Sequence, residues 1–534
     1  MSNPDSGLFS RIKRKRKGSL DPRCVGGREW GVWIFVDVVW FKKDLRVTDH
    51  APLAEAARSG PLVCLWIDEE EVYAGEDFDA SHLAFANECL LELDEKLQEA
   101  GGRLIRRRGE ATLVLEKLRR EFPFQRLHSH EETGNGITYQ RDLRVARWCR
   151  ERRVEWLETT QTGVVRRLRT RDGWATLWAA RMTLPCTDAP DQIQSVPVVS
   201  DPICTPESVG LGADNRAAWR QRGGSREARR WLESFLTQRG RDYTRAMSSP
   251  VTAYEACSRI SPYLTWGCLG VREAFAAVRR QKAIWEEAQM SGVKVDPRWF
   301  QSARSFAGRL RWHCHFMQKL EDEPALEFRN LARIYDGLRE DAWDEERFSA
   351  WAEGRTGYPM VDACMRALTA TGWLNFRMRA MVMSFASYHL WLHWRKTGLH
   401  LARLFLDYEP GIHWSQSQMQ SGTTGINTLR VYSPAKQLQD HDPEGVFVRK
   451  WVPELQNVPA KWLAEPHTMP AMEQCFAGCI VGRDYPYPIV EHKVAYAHAQ
   501  KKMFLLRKQP ASRLEARSIQ KKHGSRKAAS REWR

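Results

Sequence analysis

Residues 34–67 read IFVDVVWFKKDLRVTDHAPLAEAARSGPLVCLWI, in which a helical segment separates two apolar runs. The apolar runs, 34–41 and 62–67, have the length and the β-branched content of buried strands. The segment between them becomes helical near Ala51 and ends at Gly60. Strands joined by a helix normally lie parallel with a right-handed crossover, so this stretch predicts a β–α–β unit.

The same alternation continues to about residue 160. Residues 81–100 have the pattern of an amphipathic helix, with Ser81 as a candidate N-cap and a pair of glycines after it. Further segments follow as a basic strand at 103–107, a helix at 111–121 and strands at 125–129 and 154–157. Repeated units of this kind predict an α/β domain at 34–160 with a doubly wound parallel sheet. No GxGxxG motif follows the first strand, so an ordinary dinucleotide fingerprint is absent.

The second half of the chain changes to a helical pattern. Residues 161–240 contain five scattered prolines and are expected to form an interdomain linker. Helical patterns then occur near 226–239, 271–290, 300–321, 360–370, 373–396 and 399–406. We therefore expect an all-α C-terminal domain over 241–500. Residues 1–33 are expected to be a basic disordered tail, and residues 501–534 a basic C-terminal tail.

The chain carries a formal net charge of +16, which predicts attraction to a polyanion such as nucleic acid. The alternative is that the two basic tails alone account for this charge. No uncharged apolar stretch approaches the roughly 18 residues of a membrane span, and no signal peptide is evident. We expect a cytoplasmic, bacterial-type and nucleoid-associated protein. The 12 cysteines form no CxxC pair, so buried thiols are favoured over a metal site.

Five longer motifs occur in one order along the chain. They are VVWFKKDLRVTDHAPL (38–53), EGRTGYPMVDACMRAL (353–368), TGWLNFRMR (371–379), SPAKQLQDHDPEGVFVRKWVPEL (433–455) and YPYPIVEHK (485–493). Together they resemble the photolyase/cryptochrome family over about residues 36–500. The resemblance implies an α/β antenna-type domain, an all-α C-terminal FAD-binding domain and FAD as the cofactor.

The resemblance also implies where the FAD phosphates lie. The segment CSRIS (257–261) is similar to the phosphate loop of the family, which makes Ser258, Arg259 and Ser261 candidate contacts. Hydroxyl and backbone N–H groups at a helix start suit a pyrophosphate. Taken alone, the segment would read as a plain helix cap. Tyr243 matches a tyrosine beside the phosphates, and Trp312 matches an aromatic residue that lines the pocket.

Beside the isoalloxazine, the family has an arginine and an aspartate that match Arg379 and Asp407. A fixed cation there stabilises an anionic reduced flavin, and the carboxylate holds the arginine. The alternative is an ordinary salt bridge between helices. Glu409 matches a second acid. His413 falls where an asparagine normally faces flavin N5, and a histidine there is expected to donate a hydrogen bond and to change charge near neutral pH.

Flavin reduction in this family uses a chain of tryptophans, which the sequence only partly reproduces. Trp394 matches the middle member and Trp343 the surface member. The flavin-proximal position is Ser417, and Trp414, three residues away, is the candidate substitute. Core packing of these indoles is the alternative.

Four positions depart from the family's repair enzymes, of which His413 is one. Arg309 falls where cyclobutane photolyases have a lesion-binding glutamate, and Phe376 and Ala380 replace an asparagine and a methionine. The histidine pair of enzymes that repair the 6–4 photoproduct is also absent. Basic residues are expected to grip DNA phosphates at the pocket mouth, namely Arg309, Arg311, Arg377, Lys436 and Arg449.

These observations support three functional hypotheses. The first is light-driven repair of pyrimidine dimers in UV-damaged, double-stranded DNA by a monomeric photolyase. The second is a blue-light photoreceptor of the cryptochrome type, which Arg309, Phe376 and Ala380 favour. The third is a light-independent flavoprotein that binds nucleic acid. A second, antenna chromophore stays unidentified, because EETGNGITYQRDLR (131–144) matches the folate-binding stretch of the family only in its RD.

No metal site is predicted. His313, Cys314 and His315 are neighbours on a predicted helix and point in different directions. His389 and His393 are four residues apart but enclose no HExxH glutamate. Both groups are expected to be structural.

Overall fold

A parallel sheet forms the N-terminal part of the molecule in the computed structural model, which describes residues 36–525. The strands are β1 (Val36–Phe41), β2 (Leu62–Asp68), β3 (Leu104–Arg108), β4 (Phe124–His130) and β5 (Glu155–Thr159). They are arranged in the order β3-β2-β1-β4-β5, and every pair is parallel. The predicted doubly wound sheet is therefore confirmed, with its switch in strand order at β1.

Helices cover both faces of this sheet because side chains along each strand alternate in direction. The helices are α1 (Ala51–Ser59), α2 (Glu70–Tyr73), α3 (Ala80–Glu99), α4 (Ala111–Glu121) and α5 (Gly136–Arg152). Val38 and Trp40 pack into a core with α4 and α5. Val39 and Phe41 face the other way, into a core that also contains Tyr263 from the second half of the chain. This shared core fixes the sheet against the helical region.

The predicted linker contains two helices, α6 (Trp174–Thr183) and α7 (Ser225–Ser234). Trp174 and Trp178 of α6 are buried in the core shared with the sheet. A π-turn, Phe235–Arg239, follows α7 directly and leads into the helical region. The segment therefore packs against both parts of the molecule. The boundaries at residues 160 and 240 stay predictions.

The remainder of the described chain is helical, as predicted. Its helices are α8 (Tyr243–Ala246), α9 (Ala253–Ala256), α10 (Ser261–Thr265), α11 (Val271–Met290), α12 (Pro297–Asp322), α13 (Glu345–Ala352), α14 (Pro359–Thr371), α15 (Phe376–Ser384), α16 (Trp394–Leu404), α17 (Pro410–Ser421), α18 (Pro434–His441), α19 (Val446–Trp451), α20 (Ala460–Leu463), α21 (Ala471–Ala477), α22 (His492–Arg507) and α23 (Pro510–His523). α12 packs directly against α17, and both helices line the cavity described below.

The predicted division into helices 373–396 and 399–406 is wrong. α15 starts at Phe376 and ends in a π-turn, Phe385–His389, and α16 runs unbroken from Trp394 to Leu404. The break lies at residues 390–393, where Trp391 has a left-handed φ of 57°. The His393 side chain then accepts a hydrogen bond from the Arg395 N–H and caps α16.

Residues at the basic C-terminus continue the helical fold. Met503 of α22 and Ile519 of α23 are buried in a small core with Tyr335 and Tyr388. Lys522 forms an ion pair with Glu323 at the end of α12. Residues 1–33, predicted to be a disordered tail, and the last nine residues lie outside the described chain. Among residues 36–525, no helix combines the length and the hydropathy that a membrane crossing requires.

Candidate functional site

A deep cavity of about 460 Å³ opens between α10, α12, α15 and α17. Its wall contains every residue that the sequence proposed for cofactor binding, which are Tyr243, Ser258, Arg259, Ser261, Trp312, Arg379, Asp407, Glu409 and His413. These positions span more than 150 residues of sequence, and the fold brings them to one surface. We call this space the flavin cavity below, although the individual contacts with FAD stay predictions.

Arg259 lies at one end of the flavin cavity in an aromatic clamp. Its guanidinium carbon is 3.9 Å from the centre of the Trp373 ring and 4.0 Å from that of Tyr254. Its Nε and Nη2 donate to Gln221 Oε1, at 3.2 Å and 3.0 Å. Burial lowers the pKa of Arg259 to about 10, and the group stays charged at neutral pH. Its Nη1 is buried without a hydrogen-bond partner in the described chain.

Arg259 also has a left-handed backbone, with φ at 61°, directly before α10. This conformation is uncommon for a residue with a side chain. The clamp and the Gln221 hydrogen bonds hold the residue in place. Together they present a fixed cation next to the hydroxyls of Ser258 and Ser261, which suits a bound diphosphate.

Arg379 and Asp407 form the predicted ion pair across the cavity wall. Arg379 Nη2 donates to Asp407 Oδ2 at 2.8 Å, and Arg379 Nε donates to the Leu374 carbonyl at 2.7 Å. The guanidinium carbon also lies 4.0 Å from the centre of the Phe405 ring. Burial opposes ionisation of Asp407, but the charge and hydrogen bond of Arg379 hold the pKa of that carboxyl below its ordinary value. The pair is therefore charged and fixed in orientation.

The protonation state of His413 differs from the prediction. Its Nε2 lies 2.8 Å from the Gly398 carbonyl oxygen, which can only accept, so Nε2 carries the proton. Burial lowers the pKa of His413 to about 4. The expectation that His413 changes charge near neutral pH is wrong, because the ring is buried and stays neutral there. Nδ1 is the ring nitrogen without a proton. It can accept a hydrogen bond from a ligand but cannot donate one.

Glu409 is fully buried beside His413 and also lines the flavin cavity. Burial raises its pKa to about 7, and the positive charge of Lys43 opposes this only in part. An acid with such a pKa can hold or release a proton under physiological conditions. The cavity therefore contains one fixed charge pair and one acid close to its titration point.

Several buried polar atoms on the cavity wall have no hydrogen-bond partner in the described chain. They are Arg259 Nη1, Asn375 Oδ1, Arg377 Nε, Asp407 Oδ1 and Gln416 Oε1. A buried polar atom without a partner costs about 1–3 kcal/mol, so such atoms normally meet a ligand or water. The donor of Arg259 fits a diphosphate. The donors and acceptors near Arg379 fit a polar heterocycle joined to that diphosphate. The residues present therefore fit FAD.

The mouth of the flavin cavity is basic and aromatic. Arg309 is exposed, and its guanidinium carbon lies 5.3 Å from the centre of the Phe376 ring. Phe376 and Trp312 are also exposed, at 48% and 39%. Arg377 and Arg430 complete the wall, and Arg430 was not predicted from the sequence. Ala380 lies on the same wall, so the departures from the repair enzymes all lie at this site.

Three of the predicted DNA contacts do not lie on this wall. Arg311 lines a separate groove on the other side of α12. Lys436 pairs with Asp440 on the exposed side of α18. Arg449 donates to the backbone carbonyls of Glu444 and Val458, which ties it to its own loop. Their contacts with DNA stay predictions.

The predicted tryptophan chain is only partly assembled. The ring centres of Trp394 and Trp414 are 5.9 Å apart, and both side chains are fully buried. Neither lines the flavin cavity, whereas Ser417 does. The ring contacts of Trp343 within residues 36–525 are with Phe348 and Lys396, and none joins it to Trp394.

A second cavity lies at the carboxyl ends of β1 and β2, between the sheet and the helical region. Its wall includes Lys42, Trp66, Glu69, Tyr73, Asp77, His82, Glu132, Asn135, Arg141, Trp266 and Tyr408. The central charge is Arg141, which donates to Glu69 at 2.7 Å and to Glu132 at 2.6 Å. Ligands of doubly wound sheets bind at this switch in strand order. We call this space the sheet cavity.

Tyr408 lines both cavities, and sequence reasoning missed it. Its hydroxyl donates to Asp77 Oδ2 at 2.6 Å, and its ring centre lies 5.1 Å from that of His413. Its position between Asp407 and Glu409 could have indicated that Tyr408 lies at the flavin pocket, because both neighbours were predicted to line that pocket. Nothing in the sequence indicates the Asp77 partner, which is 331 residues away.

Asp44, His50 and His130 form a buried cluster that was not predicted from the sequence. One nitrogen or oxygen atom of each side chain, of the kind that can bind a metal ion, lies within 4.8 Å of the other two. His50 Nε2 and His130 Nδ1 lie 3.0 Å and 2.8 Å from the same oxygen, Asp44 Oδ2. His50 Nδ1 accepts from the Leu53 N–H, which places the His50 proton on Nε2. The cluster is satisfied by its own hydrogen bonds, and it fixes the turn after β1.

The other histidines singled out in the sequence have packing roles. His313 lines the flavin cavity, whereas Cys314 is buried in the core shared with the sheet. His389 pairs with His492 of α22 through a 2.8 Å Nε2–Nδ1 contact rather than with His393. His393 caps α16.

Comparisons with known proteins agree with this architecture. Residues 37–173 match the family model described as DNA photolyase, and residues 306–504 match the one described as the FAD binding domain of DNA photolyase. A deoxyribodipyrimidine photo-lyase of Streptomyces griseus is 30% identical over 483 residues, which is 87% of this chain and 98% of that protein. A cryptochrome DASH of Gloeobacter violaceus is 27% identical over 500 residues, 85% of this chain and 93% of that protein.

Solved structures show the same fold. A bacterial class III photolyase from Agrobacterium tumefaciens has a TM-score of 0.78 at 24% identity, covering 91% of this chain and all (100%) of that one. An archaeal photolyase from Sulfolobus tokodaii, solved with two FAD molecules, has a TM-score of 0.70 at 23% identity, covering 88% and 100%.

Proposed function

Because this chain belongs to the photolyase/cryptochrome family and has its FAD-binding domain, we propose that it is a photolyase that splits pyrimidine dimers in DNA. The observation that carries this proposal is the flavin cavity, whose fixed Arg379–Asp407 pair lies below a basic, aromatic mouth. FAD, when bound, supplies the light-driven transfer of one electron. Cyclobutane splitting needs no general acid or base, which agrees with a cavity that contains no catalytic triad.

The residues of the cavity have separable roles in this proposal. Arg259, Ser258, Ser261 and Tyr243 hold the diphosphate. Arg379 places a positive charge beside the ring system and thereby favours an anionic reduced flavin, and Asp407 keeps the arginine oriented. His413 accepts a hydrogen bond through Nδ1 rather than donating one.

The mouth of the cavity is suited to a nucleotide that has left the DNA stack. Phe376 and Trp312 offer exposed rings for stacking, and Arg309, Arg377 and Arg430 supply cations for the flanking phosphates. Flipping costs a few kcal/mol and is cheapest at a damaged, poorly stacked pair. We propose UV-damaged double-stranded DNA as the substrate, bound by a monomer at the bacterial nucleoid. The net charge of +16 supports this partner.

The sheet cavity is our candidate for the second chromophore. It contains apolar rings together with the charged group of Arg141, Glu69 and Glu132, which can fix the polar end of a flat ligand. The Sulfolobus tokodaii photolyase, with its two FAD molecules, gives a precedent for an additional cofactor in this fold.

Repair can be tested directly with purified, reduced protein. UV-damaged oligonucleotides are mixed with the protein, half of the sample is kept dark, and the recovery of thymine absorbance is followed. We expect recovery in light only. Recovery in both samples, or in neither, contradicts the photolyase proposal.

A cryptochrome-type photoreceptor is the second candidate, favoured by Arg309, Phe376 and Ala380 on the cavity wall. A guanidinium cannot accept a hydrogen bond from a thymine N–H as the glutamate of cyclobutane photolyases does. The same illumination experiment separates the candidates. Light-driven reduction of bound flavin without any thymine recovery supports the photoreceptor.

A further inference from the structure

The residues of α17 that line the flavin cavity include no tryptophan. Trp312 and Trp373 also line the cavity, but their ring contacts within the described chain are with His315, Phe316 and Tyr254. Ser417 occupies the α17 wall, and the connected indoles Trp414 and Trp394 lie behind it. A hydroxyl group of serine cannot be oxidised at the potentials that aromatic side chains reach. A short path for electrons from Trp414 to a cofactor in this cavity therefore runs through another aromatic side chain.

Tyr408 meets this requirement by position. It lines the flavin cavity, and its ring centre lies 5.1 Å from that of His413, on the cavity wall, and 6.5 Å from that of Trp414. Trp414 in turn contacts Trp394 at 5.9 Å. The three rings form a continuous path from the cavity into the helical core.

Tyr408 also has a proton acceptor in place. Its hydroxyl donates to Asp77 Oδ2 at 2.6 Å, which is short for an O–H···O bond and typical of a carboxylate acceptor. The same carboxylate accepts two contacts from Asn135 Nδ2, at 3.0 Å and 3.3 Å. No cation forms a salt bridge with Asp77 in the described chain.

The protonation state of Tyr408 makes this acceptor necessary. Burial and the neighbouring Asp77 carboxylate raise the pKa of Tyr408 well above its ordinary value, so the phenol is protonated throughout the physiological range. Oxidation of a phenol makes it strongly acidic. A buried tyrosine can therefore donate an electron efficiently only if its proton has somewhere to go.

We propose that Tyr408 and Asp77 form a proton-coupled electron relay that replaces the missing flavin-proximal tryptophan. This inference rests on the proposed FAD site. One electron leaves Tyr408 for the photoexcited flavin while the O–H bond breaks and the proton moves to Asp77 Oδ2. The products are a neutral tyrosyl radical, a protonated Asp77 and a flavin that carries one additional electron. An electron from Trp414 then refills Tyr408, and the proton returns from Asp77, which leaves the radical on Trp414.

Flash illumination of the oxidised, FAD-loaded protein tests the relay, with EPR and transient absorption as readouts. Wild-type protein labelled with ring-deuterated tyrosine should show a narrowed, transient tyrosyl signal before any tryptophan signal. In Tyr408→Phe and in Asp77→Asn this signal should be lost. The Asp77→Asn carboxamide preserves a hydrogen-bond acceptor but cannot take up the proton.

Tyr485→Phe is the matched control. The Tyr485 hydroxyl donates to Asp362 Oδ2 at 2.5 Å in the same buried phenol–carboxylate arrangement, but Tyr485 lines neither cavity. This variant should retain the full tyrosyl signal. Bound FAD is quantified in every sample after denaturation, so loss of cofactor is distinguished from loss of the relay.

The outcomes separate this inference from the proposed function. If the wild-type protein holds FAD but only tryptophan radicals appear, even in labelled protein, the relay is wrong and the FAD site stands. The relay is equally overturned if Tyr408→Phe retains both FAD and the tyrosyl signal. If the wild-type protein binds no FAD, the proposed function itself fails.

Discussion

At the scale of single residues, the Arg379–Asp407 pair was predicted from the sequence, and the structure contains it on the wall of the flavin cavity. It was predictable because both residues lie in or near motifs with a fixed order along the chain. The neutral state of His413 was not predictable, because it depends on burial and on the Gly398 carbonyl, neither of which a motif encodes. The same holds for the contact between Tyr408 and Asp77.

Replacing Arg379 with leucine removes the cation beside the ring system and leaves the Asp407 carboxylate buried without its partner. We expect Arg379→Leu to retain less FAD, or to hold the reduced flavin in its neutral form. Absorption spectra of the reduced variant and its flavin content measure both effects. If the spectrum and the FAD content match those of the wild type, the assignment of the pocket is wrong.

Glu409 predicts a dependence of stability on pH in flavin-free protein. Its folded pKa of about 7 lies above the usual value of 4.5, so the folded state binds the proton more tightly than the unfolded state. Stability therefore falls as pH rises between these values, by up to about 3 kcal/mol. Glu409→Gln should be more stable than the wild type at pH 8 and should lose this advantage near pH 4.

Thermal unfolding of the two proteins across this pH range measures the difference. An equal difference in Tm at pH 4 and pH 8 would show that Glu409 does not titrate between them.

Arg309 at the cavity mouth predicts a salt effect on DNA binding. Loss of one phosphate contact should reduce the slope of log K against log salt concentration by about 1. We expect this for Arg309→Gln, with damaged and undamaged DNA weakened alike. Lys436→Gln is the control, because Lys436 pairs with Asp440 and does not line the cavity. Equal slopes for Arg309→Gln and the wild type would remove Arg309 from the DNA-binding surface.

At the scale of secondary-structure elements, periodicity predicted the strands well and the helix ends less well. β1–β5 all overlap the predicted strands: buried apolar runs indicated β1 and β2, whereas β3 was predicted as a basic strand. The break at residues 390–393 was missed because Trp391 is not a residue that signals a turn, although its φ is 57°. Packing of the aromatic residues around it, rather than local preference, selects that conformation.

The turn between α10 and α11 predicts a strong effect of a small substitution. Gly267 has a φ of 67°, and a Cβ there would lie 2.5 Å from Asp44 Cα in the turn after β1. Gly267→Ala should therefore separate the sheet from the helical region and destabilise the protein by more than the usual ~1 kcal/mol of a glycine replacement. Gly308→Ala is the control, because a Cβ on this α12 residue meets nothing within 4 Å.

We expect Gly308→Ala to be neutral or stabilising by up to about 1 kcal/mol, since alanine favours the helix. Chemical denaturation of both variants gives the comparison. If Gly267→Ala is as stable as Gly308→Ala, the close contact between the two turns is not important for the fold.

At the scale of the whole molecule, the contact between the sheet and the helical region sets the relation between the two cavities. One core contains Phe41 and Trp66 of the sheet together with Tyr263 and Trp266 of the helical region, so the two cavities are held in a fixed relation. Tyr408 lies between these cavities and touches the path of indoles. Sequence motifs indicated the lining of the flavin cavity but neither the lining of the sheet cavity nor the proximity of the two cavities, because these follow from long-range packing.

Each of the proposed activities requires that the helical region encloses a redox-active FAD. The most direct measurement is the FAD released per chain from purified protein by denaturation, identified by its absorption and fluorescence. We predict one FAD per chain, present on purification or restored by adding FAD to the folded protein. A colourless protein that takes up no FAD, even after refolding in its presence, would contradict the account.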